Sequence, residues 1–376
     1  MKKNIFERSG KEKQVFKDEK YLYPEFVPER LPHRDREIDA LVYGFNPLVK
    51  GGKPHNFFVV GPTGVGKTAC VKYVLNELQE YSDRAKALYL NCFEFNARHA
   101  ILSKIANFLG APVPRRGIAT DEIYSRFLEA LKKADFSPVI VLDEVDQLLL
   151  KADGSKLLYD LLRVVEYERA RVALVLISND IELTAKLDSR VRSSLTEEKI
   201  VFESYTPAQL KDILRERASF AFLSGALGEE VIPVAAAHAA KLGGDARIAI
   251  ESLLKAGREA EKENSGKVEV KHLKKSFESV DAVSLLKGIR HLNESEALLL
   301  KLIAEKPGIF SGELFKAFGG KTEPLSERRL RDLLNGLEKK NFVFSEQVSL
   351  GNKGKTRSFS CRLPREPLMR ELNRNQ

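Results

Sequence analysis

The stretch GPTGVGKT, Gly61–Thr68, constrains this chain more than any other. It follows the apolar run NFFVV and precedes ACVKYVLNELQE, in which Val71, Val74, Leu75 and Leu78 recur at helical spacing. Strand, glycine-rich turn and helix in that order give G-x-x-x-x-G-K-[ST], the P-loop, in the context its chemistry demands. Gly61, Gly64 and Gly66 let backbone N–H groups close round phosphate oxygens, because no Cβ blocks the approach. Pro62, Thr63 and Val65 complete the loop, and the start of the helix adds its unpaired donors. Lys67 is placed to reach the β- and γ-phosphates of ATP or ADP, and Thr68 to bind Mg²⁺. The alternative, a glycine-rich turn with an incidental lysine, explains less of the motif's length and placement.

A P-loop that turns over nucleotide needs an acid at the end of a neighbouring strand, and PVIVLDEVDQLLL (Pro138–Leu150) supplies one. Pro138–Leu142 predicts a buried parallel strand, so Asp143 leaves the sheet at its carboxyl end, where open α/β sheets bind ligands. Asp143 can hold Mg²⁺, directly or through water, and Glu144 can orient or deprotonate an attacking water. Both acids also suit the N-cap of the next helix. A third strand, RVALVLISND (Arg171–Asp180), ends in Asn179. Its amide can both accept from and donate to a γ-phosphate and the lytic water, or it can simply close an Asx-turn. In LGGDARIAI, Asp245 reads as an N-cap and Arg247 lies in the first helical turn. A cation is poorly matched to a helix N-terminus unless an anion sits there too, which makes Arg247 a candidate phosphate contact; a solvated arginine is the alternative.

With 376 residues the chain exceeds one ordinary domain, and two or three are expected. It has no run of about eighteen apolar residues and no signal-peptide pattern, so neither a membrane span nor export is expected. Cys70, Cys92 and Cys361 are scattered without metal spacing, which predicts a reducing cytoplasm, no disulfide and no zinc site. Net charge is +9, and Val283–Gln376 alone holds 18 Lys and Arg against 11 Asp and Glu. A basic C-terminal module on a nearly neutral remainder suits DNA phosphates, although a solvated lysine-rich surface would look the same.

The pattern of that module favours DNA. NESEALLLKLIAEKPG (Asn293–Gly308) and SGELFKAFGG (Ser311–Gly320) each predict a helix. LSERRLRDLLNGLEKKNFV predicts a third, capped by Ser326, with Leu330, Leu333, Leu334 and Leu337 on one face and Arg328, Arg329, Arg331, Asn335, Lys339 and Lys340 on the others. FVFSEQVSLGNKGKTRSFSCRL then predicts a hairpin whose tip holds Lys353 and Lys355, with Arg357 just beyond. Three helices and a basic hairpin describe a winged helix, its third helix suited to the major groove and its wing to phosphates or the minor groove. Winged helices also dock proteins.

The P-loop, LDEVD, a strand ending in SND, LDSRVRSSL and GGDARIAI, in this order, resemble the archaeal origin-recognition and helicase-loading ATPases of the AAA+ superfamily, as does the opening FVPERLPHRDREI (Phe26–Ile38). The resemblance runs from about Phe16 to the C-terminus. It implies an α/β AAA+ core with a parallel sheet flanked by helices, an all-α lid and a C-terminal winged helix. The expected organisation is a flexible arm over residues 1–20, a core over 21–203, a lid over 204–280 and a winged helix over 281–376. Within the core, about 108–120, the resemblance implies a DNA-contacting insertion in which APVPRRG presents Arg115 and Arg116; an exposed loop with solvated arginines is the alternative. It also implies an ATP-dependent replication initiator in the cytoplasm, on the nucleoid, with double-stranded origin DNA, the MCM helicase and a paralogous initiator as partners. An ATP-switched transcription regulator and a transposition-helper ATPase share the same modules and stay open. One departure stands out. Where eukaryotic relatives carry R-V-x-S-R, whose last arginine reaches a neighbour's nucleotide, this chain has Ser194, leaving Arg190 and Arg192 as candidates. Slow, switch-like hydrolysis is therefore expected.

Overall fold

A computed structural model of the chain describes residues 13–114, 117–150, 153–167, 171–183, 187, 191–192, 198–320, 326–349 and 355–374. The chain divides into two compact units, Gln14–Ile250 and the chain from Glu251 onward. Among the described residues no helix is long and apolar enough to cross a membrane.

The first unit is built on five parallel strands: β1 (Phe57–Val60), β2 (Ala85–Asn91), β3 (Ser137–Asp143), β4 (Ala173–Ser178) and β5 (Lys199–Val201). Their order across the sheet is β2-β3-β4-β1-β5. Successive side chains on a strand point to opposite faces, and both faces of this sheet are covered, so the central strands are apolar throughout rather than alternating. Phe58, Val60, Ile140, Leu142, Leu174 and Leu176 pack on one side against α3 (Arg98–Phe108), α4 (Thr120–Lys133), α5 (Val145–Leu149) and α6 (Gly154–Tyr167). Phe57, Val59, Val139, Val141, Val175 and Ile177 pack on the other against α1 (Asp35–Val49) and α2 (Lys67–Tyr81). The predicted helical face Val71, Val74, Leu75 and Leu78 is buried there. β1 lies between β4 and β5, so the chain leaves it toward one sheet edge and returns past it to the other. Ligands bind at such a switch point.

The stretch expected as an insertion, about 108–120, spans the loop between α3 and α4. Val113 anchors that loop, its N–H donating to Asn107 Oδ1 at 2.8 Å; Arg115 and Arg116 lie outside the described residues. Three helices follow the sheet: α7 (Pro207–Ala221), with a capping box at Thr206 and Gln209, α8 (Val231–Lys241) and α9 (Ala246–Lys262).

The expected arm needs correction. From Lys13 onward it is folded: Val15 is fully buried, Phe16 stacks on Phe222 at 4.8 Å, and Lys17 N–H donates to Ala221 O at 2.8 Å. The segment's charges disguise an apolar pair that covers the end of α7.

In the second unit α10 spans Val270–Gly288 and runs through Asp281, the expected junction, without a break. Beyond it, α11 (Glu294–Glu305), β6 (Ile309–Phe310), α12 (Ser311–Gly319), α13 (Glu327–Lys339), β7 (Val343–Ser349) and β8 (Lys355–Cys361) follow the predicted pattern of helices and hairpin. Asn293 caps α11 in a capping box with Glu296, and Ser326 caps α13. The antiparallel sheet runs β6-β8-β7. A last helix, α14 (Arg365–Arg374), buries Leu368 and Leu372 in the same core as Leu330, Leu334, Leu337 and Phe359. Sequence reading passed over both β6 and α14.

Candidate functional site

Strand register brings the nucleotide-site candidates together. Asp143 at the end of β3 is level with Ile177 on β4, and Val60 at the end of β1 with Ser178, so the P-loop, Asp143 and Asn179 emerge side by side from three adjacent strands. The loop's shape depends on glycine at two points in particular. Gly64 and Gly66 take φ of 73° and 90°, in the region that side chains disfavour. A Cβ on Gly66 would also press on Tyr205 Oη at 2.9 Å.

Lys67 is 6 % exposed. Its Nζ donates to Gly61 O at 2.7 Å, Pro62 O at 2.6 Å and Asn179 Oδ1 at 2.9 Å. Burial pulls its ammonium down to about 8, against the opposing field of Asp143. Thr68 Oγ1 donates to Asp143 Oδ2 at 2.6 Å, and the Tyr89 hydroxyl donates to the same oxygen. Burial raises the Tyr89 phenol, which keeps it a donor.

Glu144 stands at φ 57°, a left-handed conformation rare outside glycine and asparagine, and makes no side-chain cap bond to α5. Burial pushes its carboxyl up to about 7, helped by the charges of Asp143 and Asp146, while a hydrogen bond with Asn91 pulls the other way. The turn after β4 is closed by other residues than Asn179: Ser178 Oγ accepts from Asp180 N–H at 3.0 Å, and Asp180 Oδ1 from Glu182 N–H at 2.9 Å. Asn179 thus presents its amide to Lys67. Asp146 sets that arrangement, its Oδ1 accepting from Ser178 Oγ at 2.9 Å and from Asn179 N–H at 3.4 Å.

Asp245 caps α9, and Arg247 lies at its second position, where both charges are felt at Lys67. Arg192 donates to Leu187 O at 3.1 Å; Arg190 and Ser194 lie outside the described residues.

The site includes residues that motif reading did not single out. Arg34 is 4 % exposed and donates from Nε to Val65 O and Tyr205 Oη, both at 3.0 Å, and from Nη2 to Glu203 O at 2.8 Å. Its guanidinium lies 4.0 Å from the Tyr205 ring centre. It therefore ties the P-loop to the segment that leads into α7. Asn91, Tyr89 and Asp146 belong with it. Arg34 and Asp146 left a signal, one in the stretch PHRDREI and the other closing LDEVD, but spacing reveals neither the burial of the first nor the hydrogen bonds of the second. The donor set fits a nucleoside polyphosphate with Mg²⁺: a buried ammonium, a hydroxyl beside a carboxylate, and a loop whose Gly61, Gly64 and Gly66 carry no side chain of their own.

Among the DNA candidates, Arg328, Arg329 and Arg331 are exposed on α13. Lys353 lies outside the described residues, and Lys355 begins β8. Arg357 departs from expectation. Its guanidinium is 34 % exposed and is held by the protein, donating to Ser345 Oγ at 2.7 Å, Asn335 Oδ1 at 3.3 Å and Glu338 Oε2. It is a bracket between α13 and β7, because Glu338 and Asn335 meet it from the helix and Ser345 from across the hairpin.

Residues 52–187 match the model of the AAA domain, and residues 211–278 that of the Cdc6 AAA+ ATPase-type lid domain. The ORC1-type DNA replication protein of Pyrococcus abyssi is 38% identical over 374 residues, spanning 94% of this chain and 89% of that protein. ORC1-type DNA replication protein 1 of Archaeoglobus fulgidus is 36% identical over 383 residues, spanning 98% and 93%. The solved structure of the Aeropyrum pernix ORC1 protein in complex with DNA is 33% identical and aligns with a TM-score of 0.73 over 96% of this chain and 97% of that one. The cluster of Lys67, Thr68, Asp143 and Asn179 lies within the stretch that matches the AAA domain, and the chain belongs to the ORC1-type DNA replication proteins.

Proposed function

We propose that this chain initiates replication by recognising origin DNA in its ATP-bound form and helping to recruit or load the MCM helicase. The proposal rests above all on one observation, the meeting of Lys67, Thr68, Asp143, Glu144 and Asn179 at three strand ends in a chain that also carries exposed arginines on a winged-helix third helix. Lys67 exchanges its carbonyl acceptors for β- and γ-phosphate oxygens. Thr68 and Asp143 would hold Mg²⁺, whose chemistry there would be to neutralise phosphate charge. Asn179 orients the lytic water and Glu144 accepts its proton. With Ser194 where an arginine would reach a neighbour's nucleotide, turnover is slow and the bound nucleotide acts as a switch. The Aeropyrum pernix relative, solved in complex with DNA, supports DNA binding; on this chain the duplex is held by Arg328, Arg329, Arg331 and the wing lysines Lys353 and Lys355, with Arg115 and Arg116 as a second contact.

The same modules would serve an ATP-switched transcription regulator or a transposition helper, and a footprint separates them. With Mg-ATP, the full chain should protect repeated elements at the host's replication start sites. Protection of promoters alone would overturn the initiator assignment.

A further inference from the structure

The start of α9 touches the P-loop directly. Ala246 N–H donates to Gly64 O at 3.1 Å, and the Asp245 carboxylate is wedged so closely against Gly64 that a Cβ there would fall 1.6 Å from Asp245 Oδ1. Asp245 is 8 % exposed. Its Oδ1 accepts from Arg247 N–H at 2.8 Å and from Arg247 Nε at 3.2 Å, and its Oδ2 from Nη2 at 2.9 Å. One carboxylate therefore caps the helix, leans on the loop and occupies the Nε–Nη2 edge of the guanidinium. A helix cap alone needs only the first of these contacts.

We infer that Asp245 is a positioning residue that competes with the terminal phosphate of ATP for Arg247, so that the charge at position 245 sets the discrimination between ATP and ADP. This inference rests on the proposal that Arg247 meets a phosphate. A guanidinium edge matches carboxylate and phosphate alike, and here the carboxylate already holds the Nε–Nη2 edge. A γ-phosphate that takes the Nε–Nη2 edge displaces Asp245 from it; ADP has no γ-phosphate, and the internal pair persists. After hydrolysis the same pair re-forms at the edge of the P-loop and returns α9 to its resting contact.

The test uses the full chain and calorimetric titration with Mg-ADP and with Mg and a non-hydrolysable ATP analogue. Asparagine caps a helix as well as aspartate does but carries no charge, so Asp245→Asn keeps the cap and removes the competition. The affinity ratio of ATP analogue to ADP should rise by about three- to tenfold, the scale of one partly exposed ion pair. Asp245→Ser, which also caps, should move the ratio the same way. In an Arg247→Ala background Asp245→Asn should leave the ratio unmoved. A ratio unchanged by Asp245→Asn and Asp245→Ser, with Arg247→Ala lowering it, would reduce Asp245 to a cap and leave Arg247 as a phosphate contact. If Arg247→Ala itself leaves the ratio unchanged, the assignment of Arg247 fails, and the inference with it.

Discussion

Glu144 shows how much a residue's environment adds to its motif. The sequence LDEVD places an acid after Asp143, and β3 puts it at the sheet's carboxyl end as expected. The left-handed φ of 57° and the burial that moves its carboxyl up to about 7 are not written in the spacing, because both depend on what packs round the strand end. A carboxyl raised from its ordinary 4.5 to about 7 binds protons more tightly folded than unfolded. Its ionised form therefore weakens the fold; that cost is absent below about 4.5, grows as the pH climbs, and is complete above about 7. Glu144→Gln should stabilise the chain in EDTA at pH 8 by roughly 1 kcal/mol, after discounting for solvent at a half-buried group, or about 2 °C in Tm. The gain should fade towards pH 4.5. Thermal unfolding at the two pH values measures it, and a gain equal at both would show that burial of Glu144 is not its source. Hydrolysis should be lost in the same variant while ATP still binds. The clamp Arg34–Tyr205 was less legible still, since it joins residues 171 positions apart.

Elements with a strong local signal were legible: capped amphipathic helices, the buried central strands, and the hairpin. β5, β6 and α14 were not, for they are short or charged and exist because a neighbouring strand or core accepts them. Lys13–Leu22 misled for a related reason: its lysines and acids dominate the composition, but Val15 and Leu22 decide its place. Arg357 shows the same at the hairpin. Basic residues near a wing read as phosphate ligands, whereas Arg357 joins β8 to α13 and β7 through charge-assisted hydrogen bonds. Arg357→Ala should destabilise the second unit by about 1–3 kcal/mol, because it leaves Glu338 without its partner. DNA affinity should fall with the salt slope nearly unchanged. A slope lowered by about one, with stability intact, would instead make Arg357 a phosphate contact.

For the whole molecule the distribution of charge matters more than its sum. Most of the surplus of +9 lies beyond Val283, while Arg115 and Arg116 stand far away in sequence, in the loop between α3 and α4. The order of modules was legible because each carries its own periodicity. The junction expected near Asp281 is absent, since α10 continues through it and the compact units divide at Glu251, where α9 carries no break in periodicity. If both basic elements grip one duplex, the contact is bipartite and gives the ATPase core a polarity along DNA that a winged helix alone does not impose. The two contributions have different signatures. Loss of Lys353 or Lys355 should weaken binding to every sequence and lower the log–log salt slope by about one per phosphate contact removed. Loss of Arg328 or Arg329 should cost roughly 1–3 kcal/mol on the true site and little on random DNA, if either reads a base edge. Loss of Arg115 and Arg116 together should shorten the protected region on the side away from the winged helix. At one fixed salt concentration, a double variant that protects the same length with the same affinity would remove the insertion from the interface and leave the winged helix to bind alone.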